Sequence, residues 1–257
     1  MKITVLGSGG SGGVPVIGCG CAICTSVNPK NKRLRVSLLI EVEGVTILVD
    51  TSPDMRVQCL THNIKAVDAI IYTHAHADHM HGIDDVRSFN FARNAPIDIY
   101  ADAETLQALH ARFAYVFLPP KPASPGWFRP CLNPMEVTPF MPFFIGGVEV
   151  LPFEQQHGQG KTLGLRIGDF AYSTDTNGLP EASLAALAGV DTWVVDCLRY
   201  EPAPTHAHLA MTLGWIEQVK PKRAYLTHLS HGFDYDALAS ELPPNVSPAY
   251  DGLVLEV

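Results

Sequence analysis

Four potential metal ligands follow an apolar stretch of the chain. Residues 67–73 (VDAIIYT) have the pattern of a buried strand, and the next six positions contain His74, His76, Asp78 and His79. Side chains two positions apart on an extended segment point the same way, so His74 and His76 can bind one ion together. Asp78 and His79 come where the chain must turn, and they can reach a second ion nearby. Imidazole and carboxylate ligands together suit Zn, Mn or Fe. The alternative, a His-rich loop without metal, fits a position at the end of a strand less well.

Three further potential ligands occur singly, each directly after a predicted strand. His157 follows VEVLPFEQQ, Asp175 follows FAYST, and His228 follows RAYLT. Asp50 ends another predicted strand, residues 45–50. Each residue alone could be a surface group, and Asp50 could simply cap a turn.

Three of the six cysteines form a separate group. Cys19, Cys21 and Cys24 are spaced so that three thiolates can reach one ion, and a closed structural zinc site needs a fourth ligand. Disulfide-stapled secreted domains are usually shorter and richer in cysteine. The first residues, MKITVLGSGG, are typical of a strand and a turn rather than of a secretory signal. We therefore expect a cytoplasmic protein, in which clustered thiols indicate metal; free buried thiols are the alternative.

Apolar and turn patterns predict the elements that must position these side chains. Strands are predicted at residues 2–6, 36–42, 45–50, 67–73, 96–101, 148–155, 163–168, 170–174, 191–197, 223–228 and 253–257. Helices are predicted at residues 55–61, 83–93, 101–117 with Asp102 as a cap, 182–189, 205–219 with Thr205 near its cap, and 234–242. This succession favours a single domain, residues 1–257, in which two sheets pack together with helices outside.

Residues 118–142 differ from the rest of the chain because they contain eight prolines. Proline lacks the backbone donor and fixes φ, so we expect no regular structure there. Trp127, Phe128 and Phe140 make the segment too apolar for a linker. It is expected to pack on the domain as a lid, as a subunit contact, or as a loop without a role in chemistry.

Composition narrows the possible partners. The chain has 257 residues, of which 47% are hydrophobic and 17% charged, which is enough for a buried core and shows no sign of disorder. The formal net charge of -8 argues against a long basic footprint for nucleic acid. No apolar run reaches the length needed to cross a bilayer. A small phosphorylated ligand held by metal ions remains compatible with this charge.

The run His-x-His-x-Asp-His after a strand resembles the signature of the metallo-β-lactamase superfamily. The resemblance implies a lone His, a lone Asp and a last His, each after a later strand, and His157, Asp175 and His228 supply them in that order. The resemblance implies an α/β (α+β) fold, a four-layer αββα sandwich of two mixed β-sheets flanked by helices. It also implies two divalent metal ions, Mn or Zn. The first ion would be held by His74, His76 and His157, the second by Asp78, His79 and His228, with Asp175 bridging both. Asp50 would orient a metal-bound imidazole.

Two further features resemble the PhnP-type phosphodiesterases of this superfamily. One is the cysteine triplet together with His231, three residues after His228; by resemblance Cys19, Cys21, Cys24 and His231 bind one structural zinc. The other is His206, about twenty residues before His228, where the family has a histidine that contacts the phosphate and protonates the leaving oxygen. A neighbouring histidine, His208, is the rival for that role.

The resemblance implies a metal-dependent phosphoric diester hydrolase. Hydroxide held by the two metals would attack a small phosphodiester, such as a 2',3'-cyclic nucleotide or a ribose cyclic phosphate, with Asp78 or Asp175 steering the water. A nucleotide-like ligand and a possible homodimer are the expected partners; no membrane and no long nucleic acid are expected. The alternatives are a tRNA 3'-processing nuclease, an ester or thioester hydrolase, a PqqB-like protein, and a zinc-stabilised binding protein without catalysis.

Overall fold

The computed structural model describes residues 1–119 and 127–257. Within these residues the strands are β1 (Lys2–Gly7), β2 (Ser37–Val42), β3 (Val45–Val49), β4 (Ala69–Ile71), β5 (Ile97–Ala101), β6 (Leu132–Glu136), β7 (Phe143–Ile145), β8 (Val148–His157), β9 (Gly160–Ile167), β10 (Phe170–Ser173), β11 (Thr192–Asp196), β12 (Arg223–Thr227), β13 (Val246–Pro248) and β14 (Val254–Glu256). The α-helices are α1 (Met55–Thr61), α2 (Ala77–Met80), α3 (Arg87–Arg93), α4 (Ala103–Phe113), α5 (Glu181–Ala186), α6 (Leu209–Val219) and α7 (Tyr235–Glu241). Among the helices described, none combines the length and apolarity that crossing a bilayer requires.

The strands form two mixed sheets of seven strands each. The first has the order β14-β1-β2-β3-β4-β5-β6, and the second has the order β13-β12-β11-β10-β9-β8-β7. In the first sheet β3 to β6 are parallel, and in the second β10 to β13 are parallel. The carboxyl ends of neighbouring parallel strands lie at one edge of a sheet, which is where α/β proteins build their sites.

Three apolar layers hold the sheets and helices together. The inner faces of the two sheets meet through residues such as Ile40 of β2 and Phe170 of β10. The outer face of the first sheet packs against α1 to α4, and the outer face of the second packs against α6 and α7. These layers confirm the predicted four-layer αββα sandwich.

Three strands were not predicted: β6, which lies where no regular structure was expected, and the three-residue strands β7 and β13. Strand β6 falls inside the proline-rich segment and pairs in parallel with β5, with Pro134 opposite Ile99. Because β6 is the last strand of its sheet, only one side needs hydrogen-bond partners, and an edge strand tolerates proline. The expectation was therefore wrong for these five residues. The lid expected of residues 118–142 includes residues 120–126, which lie outside the described residues.

The predicted helix over residues 205–219 begins later in the structure. Helix α6 starts at Leu209, after His208 as its N-cap residue. The preceding residues are extended because they pair with the chain after β11: Leu198 N–H donates to the Ala207 carbonyl, and Leu209 N–H donates to the Arg199 carbonyl. Thr205 and His206 therefore belong to a loop, and His206 is not on a helix.

Candidate metal centre

Three predicted ligands, and Asp50, which was predicted to orient a ligand, lie beyond the carboxyl ends of parallel strands. Asp50 follows β3, His74 lies three residues beyond β4, Asp175 lies two residues beyond β10, and His228 follows β12. Three of them have a left-handed backbone, with φ of 62° at Asp50, 49° at Asp175 and 59° at His228. Such conformations are uncommon for residues other than glycine and concentrate at functional sites. Here they turn the chain sharply as it leaves each strand.

The first group of ligand atoms belongs to His74, His76, His157 and Asp175, and these atoms all lie within 4.8 Å of one another. His157 Nε2 lies 3.2 Å from His76 Nδ1 and 3.8 Å from Asp175 Oδ2. His74 Nε2 lies 3.6 Å from the same carboxylate oxygen. His74, His157 and Asp175 are buried, while His76 is exposed, so this group opens to solvent on the His76 side.

The second group belongs to Asp78, His79, Asp175 and His228, and all four residues are buried. Asp175 Oδ1 lies 3.1 Å from His79 Nε2 and 3.3 Å from His228 Nε2. Asp78 Oδ2 lies 3.4 Å from His79 Nε2 and 3.6 Å from His228 Nε2. Two imidazoles and two carboxylates thus enclose one small space.

Asp175 is the residue that the two groups share. Its Oδ2 faces His74 and His157, whereas its Oδ1 faces His79 and His228. A carboxylate whose two oxygens face different donor groups can bridge two cations. The structure therefore brings all seven predicted ligands into two adjoining groups with Asp175 between them.

The chemistry of these donors fits divalent cations. Four buried side-chain atoms that face the groups have no hydrogen-bond partner among the described residues: His74 Nε2, Asp78 Oδ2, His79 Nε2 and His228 Nε2. Buried polar atoms without partners cost several kcal/mol, roughly 2–7 for a neutral group. These four atoms are also the ligand atoms that the distances select. Nitrogen and carboxylate ligands in groups of four suit Zn or Mn.

Hydrogen bonds on the far side of the imidazoles fix which nitrogen faces each group. His79 Nδ1 donates to Asp50 Oδ2 over 2.7 Å, and Asp50 also accepts from the backbone N–H and the hydroxyl of Thr73. Since the Thr73 hydroxyl donates to Asp50, its oxygen can accept from His74 Nδ1, 3.1 Å away. His157 Nδ1 donates to the Thr205 carbonyl over 2.6 Å. In each case Nε2 keeps its lone pair for a cation.

The charges in the site favour binding of either protons or cations. Burial lowers the pKa of His228, but Asp175 and Asp78 outweigh it and raise the pKa to about 9. Burial also opposes protonation of His79, yet Asp175 and Asp50 raise its pKa well above the usual value. Burial raises the pKa of Asp175, and the surrounding imidazoles bring it well below its usual value. Without metal, protons would occupy nitrogens that a divalent cation would otherwise bind.

His206 lies at the rim of the first group. Its Nε2 is 3.9 Å from Asp175 Oδ2, and its ring stacks on that of His228 with centroids 4.5 Å apart. Its Nδ1 donates to Asp196 Oδ2 over 3.2 Å. The rival residue, His208, serves instead as the N-cap residue of α6.

Asp196 is a site residue that the sequence reasoning missed. It is the last residue of β11 and has no exposed surface. The signal was present in the sequence, because TWVVD ends in aspartate as VTILVD does at Asp50. Thr73 was missed as well. It lies two residues beyond β4 and immediately precedes His74.

The thiols also come together. Ligand atoms of Cys19, Cys21, Cys24 and His231 lie within 4.8 Å of one another, and His231 Nδ1 is 3.5 Å from Cys19 Sγ and 3.4 Å from Cys21 Sγ. The backbone N–H of Cys24 and the imidazole of His231 lower the pKa of Cys21 to about 6. Cys59, Cys131 and Cys197 lie apart from this group and are also free thiols.

Comparisons with known proteins agree with the fold and the site. A family described as "Beta-lactamase superfamily domain" matches residues 45–229, and the chain belongs to this superfamily. Within it, the chain is similar to a protein described as "a New Diphosphatase from the PhnP Family", with a TM-score of 0.92 and 38% identity, covering 100% of this chain and 97% of that one. This similarity places the chain in the PhnP branch.

Two other proteins are similar to this chain in fold or in sequence. The Zn²⁺-bound PqqB from Methylobacterium extorquens has a TM-score of 0.81 at 19% identity, with 100% of both chains covered, which is a likeness of fold alone. An octanoyltransferase from Porphyromonas gingivalis is 37% identical over 98% of this chain. The chain spans 51% of that protein's length, about half. Fold, family and ligand geometry together support a metal-dependent hydrolase.

Proposed function

We propose that the chain is a dinuclear metal-dependent phosphodiesterase that acts on small phosphodiesters, with 2',3'-cyclic nucleotides or ribose cyclic phosphates as the favoured class. The observation that carries the proposal is the position of His206. A histidine that is anchored through Nδ1 and directs Nε2 toward Asp175 is placed to give a proton to an oxygen that leaves beside the ligand groups. Ester chemistry with a poor leaving oxygen requires such a donor.

In this proposal, His74, His76 and His157 hold one divalent cation, Asp78, His79 and His228 hold the other, and Asp175 contacts both. Zn or Mn would supply a more acidic water and would neutralise charge on the phosphoryl oxygens.

The protein's own residues would orient the water, position the ligands and protonate the leaving oxygen. Asp78 and Asp175 orient the water through their carboxylate oxygens, and Asp50 holds His79 in the tautomer that leaves Nε2 free. His206 protonates the leaving oxygen, which contributes roughly 10²–10⁴-fold to the rate of general-acid reactions. No cysteine or serine nucleophile is needed for this route.

A small substrate fits the charge of the chain. The formal net charge of -8 disfavours a polyanion such as long RNA, because binding of nucleic acid depends on many lysine and arginine contacts to phosphates. The homodimer and the cytoplasmic location remain predictions of the sequence, as does structural zinc at the cysteine group.

The similarity to a PhnP-family diphosphatase favours a second candidate, hydrolysis of a disubstituted diphosphate. Each phosphorus of such a diphosphate, like that of a phosphodiester, carries two bridging and two non-bridging oxygens. The same cations and the same proton donor could therefore serve both reactions. The leaving group differs, because a phosphate monoester leaves more readily than a ribose alkoxide.

The test is a substrate panel on protein purified separately with Mn²⁺ and with Zn²⁺. It comprises bis(p-nitrophenyl) phosphate, 2',3'-cyclic nucleotides, a dinucleoside diphosphate, a tRNA precursor and an octanoyl thioester. We expect turnover of the first two, with cyclic nucleotides giving the higher kcat/KM. Preference for the diphosphate would select the second candidate. Turnover of the thioester or the tRNA alone, or of nothing with either metal, would refute the phosphodiesterase.

A further inference from the structure

We propose that Asp196 is a positioning residue that binds the Nδ1 proton of His206, so that Nε2 is the atom that gives its proton to the leaving oxygen; this inference rests on the phosphodiesterase proposed above. Asp196 has no exposed surface, and neither of the two ligand groups that share Asp175 includes it. A buried carboxylate is costly unless it is paired or hydrogen-bonded. Its position therefore requires a partner that uses its charge.

The contacts of Asp196 identify that partner. Its Oδ2 accepts from the backbone N–H of Thr176 over 2.9 Å and from that of Ala207 over 3.3 Å. The same oxygen accepts from His206 Nδ1 over 3.2 Å. Since a carboxylate can only accept, Nδ1 of His206 keeps its proton throughout the step. The donor form of the ring carries a second proton on Nε2, gives it to the leaving oxygen, and becomes the neutral ring with hydrogen on Nδ1.

The backbone around Asp196 makes this contact rigid. Ala207 is the neighbour of His206, so its N–H bond to Asp196 fixes the main chain that carries the imidazole. The hydroxyl of Thr212, in the first turn of α6, donates to the backbone carbonyl of Asp196 over 2.7 Å. Asp196 thus connects the loop before α6 to the end of β11 through hydrogen bonds. These bonds fix the position of the His206 ring.

The other oxygen of Asp196 points toward a metal ligand. Oδ1 lies 3.8 Å from Nδ1 of His228, and neither atom has a hydrogen-bond partner in the part of the chain that the structure describes. The rings of His206 and His228 are stacked at an interplanar angle of 15°. One carboxylate therefore faces the Nδ1 atoms of both stacked rings, and its negative charge favours the Nδ1–H form in each.

These three side chains could instead bind a further cation, since their ligand atoms lie within 4.8 Å of one another. That arrangement would require His228 to bind cations through both ring nitrogens, because its Nε2 already faces Asp175 and Asp78. Hydrogen bonding is the simpler account of a 3.2 Å contact between a ring nitrogen and a carboxylate. Metal analysis separates the two accounts.

The experiment compares Asp196→Asn with His206→Ala and with the double variant on two substrates. Ribose alkoxide leaves poorly and needs the proton, whereas p-nitrophenolate leaves without one. We expect Asp196→Asn to lower turnover of a 2',3'-cyclic nucleotide by about 10²-fold, the lower end for loss of a general acid, and to affect bis(p-nitrophenyl) phosphate far less. In the His206→Ala background, Asp196→Asn should add little, because coupled residues are not additive.

The control is Asp251→Asn, which removes another largely buried carboxylate. Asp251 accepts from Ser8 and Leu34 and is absent from the ligand groups. Its loss should lower thermal stability without any difference between the two substrates.

A second measurement does not depend on turnover. In the metal-loaded protein, long-range ¹H–¹⁵N spectra of the histidines should show the neutral His206 ring protonated at Nδ1. Asp196→Ala, which removes the acceptor, should shift that proton toward Nε2; Asp196→Asn keeps an amide oxygen beside the same backbone N–H groups and removes only the charge. Equal loss on both substrates, effects that add in the double variant, an unchanged tautomer in Asp196→Ala, or loss of one equivalent of cation would each overturn the positioning role. If the wild-type protein hydrolyses no phosphodiester, the proposed function fails while the tautomer measurement still decides the role of Asp196.

Discussion

The imidazole of His79 donates through Nδ1 to the carboxylate of Asp50 over 2.7 Å, and neither side chain has exposed surface. Asp50 lies at the end of β3, whereas His79 belongs to α2. The contact thus joins the first sheet to the loop that carries four of the ligands. It also leaves His79 Nε2 free to face Asp78 and Asp175.

We therefore expect Asp50→Asn to weaken the second ligand group. An amide can donate to His79 Nδ1 and thereby favour the wrong tautomer, and loss of such partners typically lowers metal affinity about 10–100-fold. The measurement is metal stoichiometry by mass spectrometry after dialysis against a graded chelator. The control is Asp98→Asn, which lies outside the ligand groups and should retain both cations. Equal metal retention by Asp50→Asn would contradict the role of Asp50 in orienting His79.

Removal of Asp175 should affect both cations, because its two oxygens face different groups. Asp175→Ala is expected to lower the bound metal by nearly two equivalents, whereas His157→Ala should lower it chiefly by one. Metal content per folded protein, with circular dichroism as a check of folding, tests the difference. Two equivalents retained in Asp175→Ala would exclude a bridging carboxylate.

His206 should act on turnover without holding metal. Its ring lies at the rim, 13% exposed, and Asp196 anchors it. We expect His206→Ala to lower kcat for 2',3'-cyclic nucleotides by roughly 10²–10⁴-fold and to leave metal content unchanged. His208→Ala provides the matched control, since His208 precedes α6 and should change kcat little. Loss of metal from His206→Ala would show that this residue is a ligand instead.

The cysteine group should lose zinc when the medium becomes acidic. Because the pKa of Cys21 is lowered to about 6, its thiolate predominates at pH 7, and protons displace the cation only as the pH falls below that value. The measurement is zinc release to a chromogenic chelator between about pH 8 and about pH 4, a range that brackets the Cys21 pKa of about 6. Release should increase toward the acidic end of this range. Cys21→Ser should release zinc at higher pH, and Cys59→Ser should match the wild type.

Gly10 should be sensitive to a single added methyl group. A Cβ there would lie 3.2 Å from Leu198 Cδ1 and 3.3 Å from His228 Cε1, so Gly10→Ala must push on the His228 ring. Overpacking of this kind costs about 1–3 kcal/mol, and we expect weaker metal binding as well as a lower melting temperature. Gly214→Ala meets no atom within 4 Å and should stabilise α6 by about 1 kcal/mol.

Much of this fold was predictable because its strands are short apolar runs that end at a polar residue. Helix α1 has the predicted bounds, and Asp102 caps α4 by accepting from the Thr105 N–H as expected. The short strands β7 and β13 were missed, and two further errors arose where neighbouring segments override the local pattern. β6 forms despite its proline because β5 offers a partner, and α6 starts late because the residues before it pair with the chain after β11.

The sequence by itself determined the ligand types, their order and the ends of the strands that carry them. It could do so because buried strands and metal ligands both restrict residue choice at particular positions. Only the tertiary structure decided which oxygen of Asp175 faces which histidines and where His206 points. It also showed that Asp196 lies behind His206. These relationships join residues from separate strands, and their distances depend on how the two sheets pack, which local sequence does not specify.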